Sequence, residues 1–465
     1  MFKKITLACL YSVLMGEQPA STGGFSQLSP TDGVVATANA SRVTVRMIPS
    51  METLQVYSCV DKIDEMCFSP DGEYILCGIY SRNTVQVFSV ADGDWKCRIN
   101  EGAASIVKAA WAPDSRNVVT MSDFGIQLSV WSLIENASRI IANPKAEAVQ
   151  GFAFSQDGYH LCVLHRVNSV DHIGVYEVNE RWEQVSMFKI ASNDASSVFW
   201  SSKGDSIIVI DSILNYRVGI YRVDGELVTE YSAYNDALGI QCVVLQHTNS
   251  RFQPQIIAAG SSDAKIRLIS ERTWNCVFTL SLCHPQHITN TTDDDGMESL
   301  LIHIEQPTHY DMMVNFKRSS TLRTSTLQGK SIVLGNSFKG GSEIWMEWSA
   351  DNALLACRSA ANPHFIWIWN GSEGKLVSLI VTLEAITCAQ WRAVSKDGSL
   401  KGIHTLAFCT RTPRVYFYDH QKPIYSKNLP KESTFGIKKL SWNTEGNCLL
   451  LQGDESLVAM DFGEG

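Results

Sequence analysis

The sequence predicts an all-β propeller of about nine blades closed into one ring. Three observations predict it. A strand–turn–strand signature recurs along the chain, and its spacing lies close to the ~40–45 residues of a four-stranded blade. No segment longer than about ten residues carries helical periodicity.

The signature is clearest in "CFSPDGEYILC", Cys67 to Cys77. A short apolar strand ends at Phe68 and a turn follows. Pro70 pre-sets φ at the second turn position, Asp71 caps locally, and Gly72 lets the chain leave without strain. Aligned on the residue before the turn, the copies stand at Leu28, Phe68, Trp111, Phe154, Trp200, Leu245, Trp348, Trp391 and Trp442. The spacings are 40, 43, 43, 46, 45, 103, 43 and 51 residues, all but two of them near one blade. After each turn comes an apolar second strand, such as "NVVTMS" or "SIIVID". An alternating third strand follows, such as "TVQVFSV", "IGVYEV" or "FIWIWN", and then a more polar fourth. Period-two alternation over five or six residues is the mark of half-buried strands.

The third strands end where WD repeats carry their Trp-Asp dipeptide. Here the place holds Trp131-Ser132, Trp369-Asn370 or Tyr418-Asp419, and the Gly-His pair that opens such repeats is largely missing. The expectation is that the usual buried hydrogen-bond network cannot form and that the blades rely on apolar packing.

Two segments fall outside the repeat. Residues 1–24 precede the propeller, which spans 25–465. Lys3 and Lys4 followed by an apolar run mimic a secretory signal. The other reading is a strand that supplies the fourth member of the last blade, whose own repeat ends at "LVAMDF", Leu457 to Phe462. The second segment is an insertion over 281–341, after the sixth repeat. It carries an acidic run, Asp293–Asp295, and then the basic, hydroxyl-rich "KRSSTLRTSTLQGKS". It is expected to be a structureless loop that the fold tolerates losing, because loop-length cost grows only logarithmically.

Composition narrows the function. A net charge of −9 over 465 residues argues against nucleic acid as the main partner. The 13 cysteines are scattered from Cys9 to Cys448 with no CxxC pair, which fits a reducing compartment and favours the strand reading of the N-terminus. The sequons at Asn39, Asn136, Asn290 and Asn370 are few enough for chance. No run approaches the ~20 apolar residues of a membrane-spanning helix, so no membrane partner is expected.

No motif demands catalysis or a cofactor. "QGKS", Gln328 to Ser331, has Thr324 where a phosphate-binding loop needs glycine. "CHPQH", Cys283 to His287, lacks a fourth zinc ligand, and Asp293–Asp295 lack the spacing of a calcium loop. Without helices no nucleophile elbow is built. Ser319, Ser320 and Thr324 lie beside Arg318 and Arg323 and are candidate phosphorylation sites for a basic-directed kinase.

Strings outside the repeat frame resemble the WD-repeat-eight family. In Tyr80 to Val119 a Trp-x-Cys-x-Ile segment runs into Glu-Gly, at Trp95, Cys97, Ile99, Glu101 and Gly102. "NPKAEAVQGFAFSQDG" and "EYSAYNDALGI" are similar to further family stretches, as are His284-Pro285 and "IWIW", Ile366 to Trp369. The likeness covers almost the whole chain, apart from the longer N-terminus and the content of the insertion. It implies a non-enzymatic cytoplasmic and cytoskeletal scaffold at centrosomes, centriolar satellites and spindle poles. It also implies a coiled-coil anchoring protein as partner, a kinesin-14 motor associated with that pair, and roles in minus-end anchoring, spindle assembly and ciliogenesis. Trp95, Tyr231 and Tyr234, near blade junctions, are the candidate partner anchors. The alternative is a secreted or lumenal propeller enzyme with acids or histidines converging over a central channel.

Overall fold

In a computed structural model the described residues are 7–10 and 25–462. Excepted are the stretches 247–254, 283–300, 307–313, 320–342, 394–403, 430–435 and 454–456, and positions 32, 49, 103, 136, 147, 180, 236 and 421. The chain is an all-β propeller of nine blades. The helical residues among those described are two short 3₁₀ turns, Tyr80–Arg82 and Asp123–Gly125. It divides into two compact units, residues 6–235 with blades one to five and residues 236–465 with blades six to nine.

Each blade is an antiparallel meander taken in chain order. Blade two is Glu65–Phe68, Tyr74–Ile79, Thr84–Ser89 and Lys96–Asn100. Blade three is Ile106–Trp111, Asn117–Ser122, Gln127–Ser132 and Ser138–Ala142. Blade five is Ala195–Trp200, Ser206–Asp211, Val218–Arg222 and Leu227–Tyr231. Second strands are buried on both faces, as Ile207, Ile208 and Val209 show, whereas the fourth strand of blade five is exposed or only half-buried along its length. The core lies between blades. Val163 of blade four packs with Val119 and Val130 of blade three in one cluster, and Leu355 of blade seven packs with Ala258 of blade six in another.

In blades two, four and seven the turn after the first strand is held mainly by its serine. Ser69 Oγ donates to Asp71 Oδ1 at 2.5 Å and accepts the Tyr74 N–H at 3.0 Å. Ser155 and Ser349 repeat this pair of bonds with Asp157 and His160, and with Asp351 and Leu354. Because both capacities of the hydroxyl are used, these serines are buried without penalty. Gly72 and Gly158 take positive φ at the same place, and Asn352 serves there in blade seven.

Two sequence expectations change. The blades do not rely on apolar packing alone. In blade three, Glu101 accepts bonds from Trp131 Nε1 at 2.9 Å, from Gln127 Nε2 at 2.8 Å, and from the Thr120 hydroxyl. A carboxylate from the preceding connection thus replaces the absent histidine. Seams between blades carry a second device. Gln27, Glu347 and Gln390 each accept the backbone N–H of the aromatic ending the next blade's first strand, at Phe68, Trp391 and Trp442. The indoles of Trp111, Trp200 and Trp391 donate back to carbonyls of Cys67, Ala153 and Glu347.

The insertion is not structureless either. Leu301–Glu305 runs parallel to Leu376–Val381 of blade seven, and Phe316–Ser319 pairs with it, making that sheet six-stranded. Ile302 and Ile304 are buried, which satisfies the apolar alternation that the acidic and basic runs around them obscured. Of the N-terminal segment, Leu7–Leu10 is described, as a short strand.

Candidate partner-binding surface

Strand direction sorts the connections of each meander to two ends. Those joining second to third strands, and fourth strands to the next blade, share one end; the others share the opposite end. Trp95 lies between the third and fourth strands of blade two, at the opposite end. It is half-buried, packing on Tyr74 at 4.9 Å between ring centroids, and the Arg116 guanidinium lies over the Tyr74 ring at 5.2 Å. Tyr231 and Tyr234 lie at the first end of blade five. Both pack on the buried ring of Tyr216, at 6.1 and 4.9 Å. The structure therefore brings the two tyrosines together and keeps Trp95 apart from them. Ser319 ends the insertion's second strand. Ser320, Thr324, Cys283 to His287, Asp293–Asp295 and Gln328 to Ser331 lie outside the described residues.

At the first end, three loops of blades three to five present apolar side chains that the sequence reading missed. Phe124 is 86% exposed, Val149 78% and Leu214 74%. Phe124 sits in the connection Asp123–Gly125 with φ +57°, a conformation a bulky residue adopts at a cost of ~1–2 kcal/mol. Its N–H is held by Asp123 Oδ1 at 2.8 Å. Gly125 follows at φ +62°, where a Cβ would stand 2.3 Å from the Pro144 carbonyl oxygen, so only glycine lets the two loops meet.

A buried ion cluster joins the loops. Lys145 Nζ donates to Asp171 at 2.8 Å, to Asp194 at 2.7 Å and to the Ala195 carbonyl at 2.6 Å. The Lys145 ammonium holds the Asp194 carboxyl below its ordinary range, with Arg166 assisting. The Asp194 carbonyl in turn accepts the Ser212 N–H at 2.7 Å, next to Ile213 and Leu214. Burial pushes the nearby Asp211 carboxyl up against the bonds from Ser192 and Asn215. Lys145, Arg166, Asp171 and Asp194 are thus spent on one another beside the exposed apolar tips. Nothing in sequence spacing marks Phe124, Val149 and Leu214, because they fall in connections of three different blades.

Among the described residues no group of three or more His, Cys, Asp or Glu is placed to hold a metal ion, and no helix is long and apolar enough to cross a membrane. His165 Nδ1 lies 3.1 Å from the carbonyls of Ala142 and Asn143, and the Tyr176 hydroxyl is 3.1 Å from its Nε2.

No family model matches the chain. It is 28% identical over 441 residues to the WD repeat-containing protein WRAP73 of Mus musculus, a match covering 92% of each chain. An uncharacterised WD repeat-containing protein of Schizosaccharomyces pombe is 22% identical over 454 residues, covering 90% of this chain and 87% of that one. Among solved structures, the C-terminal WD40 domain of Sif2 is 12% identical with a TM-score of 0.47, covering 94% of this chain and 95% of its own. The chain is similar to WD repeat-containing proteins over nearly its whole length.

Proposed function

We propose that this chain is a non-enzymatic WD-repeat scaffold of the cytoplasm and cytoskeleton, acting at centrosomes, centriolar satellites and spindle poles. There it binds a coiled-coil anchoring protein, alone or with a kinesin-14 motor, and helps hold microtubule minus ends during spindle assembly and ciliogenesis. The observation that carries the scaffold reading is the full-length similarity to WD repeat-containing proteins. The pole and its partner rest on the family strings around Trp95, Glu101 and Tyr231.

The surface supports a helical partner. Phe124, Val149 and Leu214 are exposed apolar tips on adjoining loops, beside a cluster in which Lys145 and Arg166 are paired with Asp194. The apolar stripe of an amphipathic helix covers such a row, and exposed aromatics dominate the energetics of interfaces. Proximity labelling with tagged protein in dividing cells tests the assignment. Enrichment of pole and minus-end proteins supports it, and labelling confined to secretory-compartment proteins overturns it.

A further inference from the structure

Blade eight carries two cysteines that no function proposed above uses. Cys388 lies in its first strand, Ile386–Trp391, and Cys409 in its second, Thr405–Thr410. They are direct partners across the antiparallel ladder. Opposed residues in such a ladder have Cα atoms ~4.5–5.5 Å apart, inside the ~4.4–6.8 Å that a disulfide spans. Both thiols are free. The geometry points to a peroxide-responsive dithiol at Cys388 and Cys409, which closes to a cross-strand disulfide inside blade eight.

The two sulfurs are not equivalent, and their surroundings assign the roles. Cys388 is half-buried, whereas Cys409 is wholly enclosed. The Thr387 hydroxyl lies 3.7 Å from Cys388 Sγ. The Arg358 guanidinium reaches in from blade seven and donates to the carbonyls of Ile386 and Thr387, bringing a fixed positive charge beside the same sulfur. The facing Cys409 thiol, helped by Thr387 and Arg358, holds the Cys388 thiol below its ordinary range against the opposing effect of burial. Burial, with the facing Cys388 thiol, pushes Cys409 well above its own. A partly exposed thiol with a fixed positive charge beside it, facing an enclosed resolving thiol, is the arrangement that reacts selectively with peroxide.

The step balances with hydrogen peroxide as the named oxidant. The Cys388 thiolate attacks one peroxide oxygen, the O–O bond breaks, hydroxide leaves, and Cys388 becomes a sulfenic acid. Cys409 sulfur then attacks the sulfenic sulfur. The S–S bond forms, the S–O bond breaks, and the Cys409 proton leaves with the hydroxyl as water. Two thiols have been oxidised and one peroxide reduced to water. A second contacting pair, Cys59 and Cys77, supplies an internal comparison. Here Cys77 faces Met66 and Gln86 in its ladder, and Cys59 lies in a connection outside it.

The test treats full-length protein with hydrogen peroxide, blocks remaining thiols with N-ethylmaleimide, and maps non-reduced peptides by mass spectrometry. The expected product is a Cys388–Cys409 cross-link that thioredoxin reduces. In Cys409→Ser the reaction stops at a sulfenic acid that dimedone labels on Cys388, and in Cys388→Ser that label is lost. The wild-type map stands alone if either variant fails to fold. Both cysteines recovered as maleimide adducts after oxidation, or dimedone found on Cys409 instead of Cys388, overturns the proposal.

Discussion

Single side chains here divide into those that present a surface and those that hold a blade. Phe124 belongs to the first kind, since its ring makes little contact with the fold and its backbone is fixed by Asp123 and Gly125. A Phe124→Ser, Leu214→Ser double variant is therefore expected to unfold at the same denaturant concentration as the parent, within the ~0.5 kcal/mol typical of surface changes. Its capture of the coiled-coil partner in pull-down should fall by ~2 kcal/mol or more, about thirtyfold, if these tips are the hot spot. Undiminished capture places the partner elsewhere. Tyr231 and Tyr234 belong more to the second kind, through Tyr216. Replacing both with alanine is expected to cost ~1 kcal/mol for each lost ring pair beyond the area uncovered, read as a lower unfolding midpoint. Glu101 is the plainest structural case. Glu101→Ala removes a charged acceptor shared by the Trp131 indole, the Gln127 amide and the Thr120 hydroxyl, leaving Trp131 only Thr120 Oγ1 and Gln127 only Ser129 Oγ, an expected loss of ~1–3 kcal/mol by chemical denaturation. The sequence placed Glu101 in a family string without showing its use, because the acid fills a role that WD repeats give to a histidine at a different position in the motif.

At the scale of elements, the strand–turn–strand unit was readable because its signal is local. Apolar alternation, a turn, and an aromatic stop all fall within about a dozen residues, so the first strands ending at Phe68, Trp111, Trp200 and Trp391 are where the repeat put them. The insertion was not readable in the same way. Its strand Leu301–Glu305 is only five residues long, sits between charged runs, and pairs with Leu376–Val381, more than seventy positions later. Its burial makes the consequence testable. Deleting residues 301–319 removes Ile302 and Ile304 from the core, and removes Glu305, which accepts the Tyr416 hydroxyl at 2.9 Å and the Leu383 N–H at 2.8 Å. The milder Ile304→Ala is expected to cost ~2–5 kcal/mol in denaturant unfolding; a cost near zero would make the strand dispensable. The seam between blades seven and eight gives a pH signature. Burial pushes the Glu347 carboxyl up to about 8, so the folded chain holds a proton that the unfolded chain releases near the ordinary glutamate value. This contribution is complete below that ordinary value and is lost as pH rises toward about 8. Glu347→Gln keeps an acceptor for the Trp391 N–H and cannot ionise. It should match the parent near pH 4 and exceed it in unfolding midpoint near pH 8, whereas parallel stability curves would show that Glu347 titrates normally.

For the molecule as a whole, the blade count follows from arithmetic on spacing, but the completion of the last blade does not. Lys439–Trp442, Cys448–Gln452 and Leu457–Asp461 are the three strands that the ninth repeat itself contributes. Val458, Ala459 and Met460 are buried, so the third of them is no solvent-facing margin. Every other blade takes a fourth strand, and an unpaired strand edge is a template for aggregation. We propose that Leu7–Leu10 fills the fourth place, as the N-terminal reading of the sequence expects. Proline discriminates this closure from a processed leader, since it removes a ladder donor while leaving charge and hydropathy nearly unchanged. Ala8→Pro is expected to lower the thermal midpoint and raise aggregation at the midpoint, and deletion of residues 1–24 should reproduce both effects. Ala8→Lys, placed in a paired strand at the margin of the blade, should be milder, because it keeps the donor. If the deleted chain melts with the parent and stays soluble, the last blade is complete without the N-terminus, and the closure is wrong.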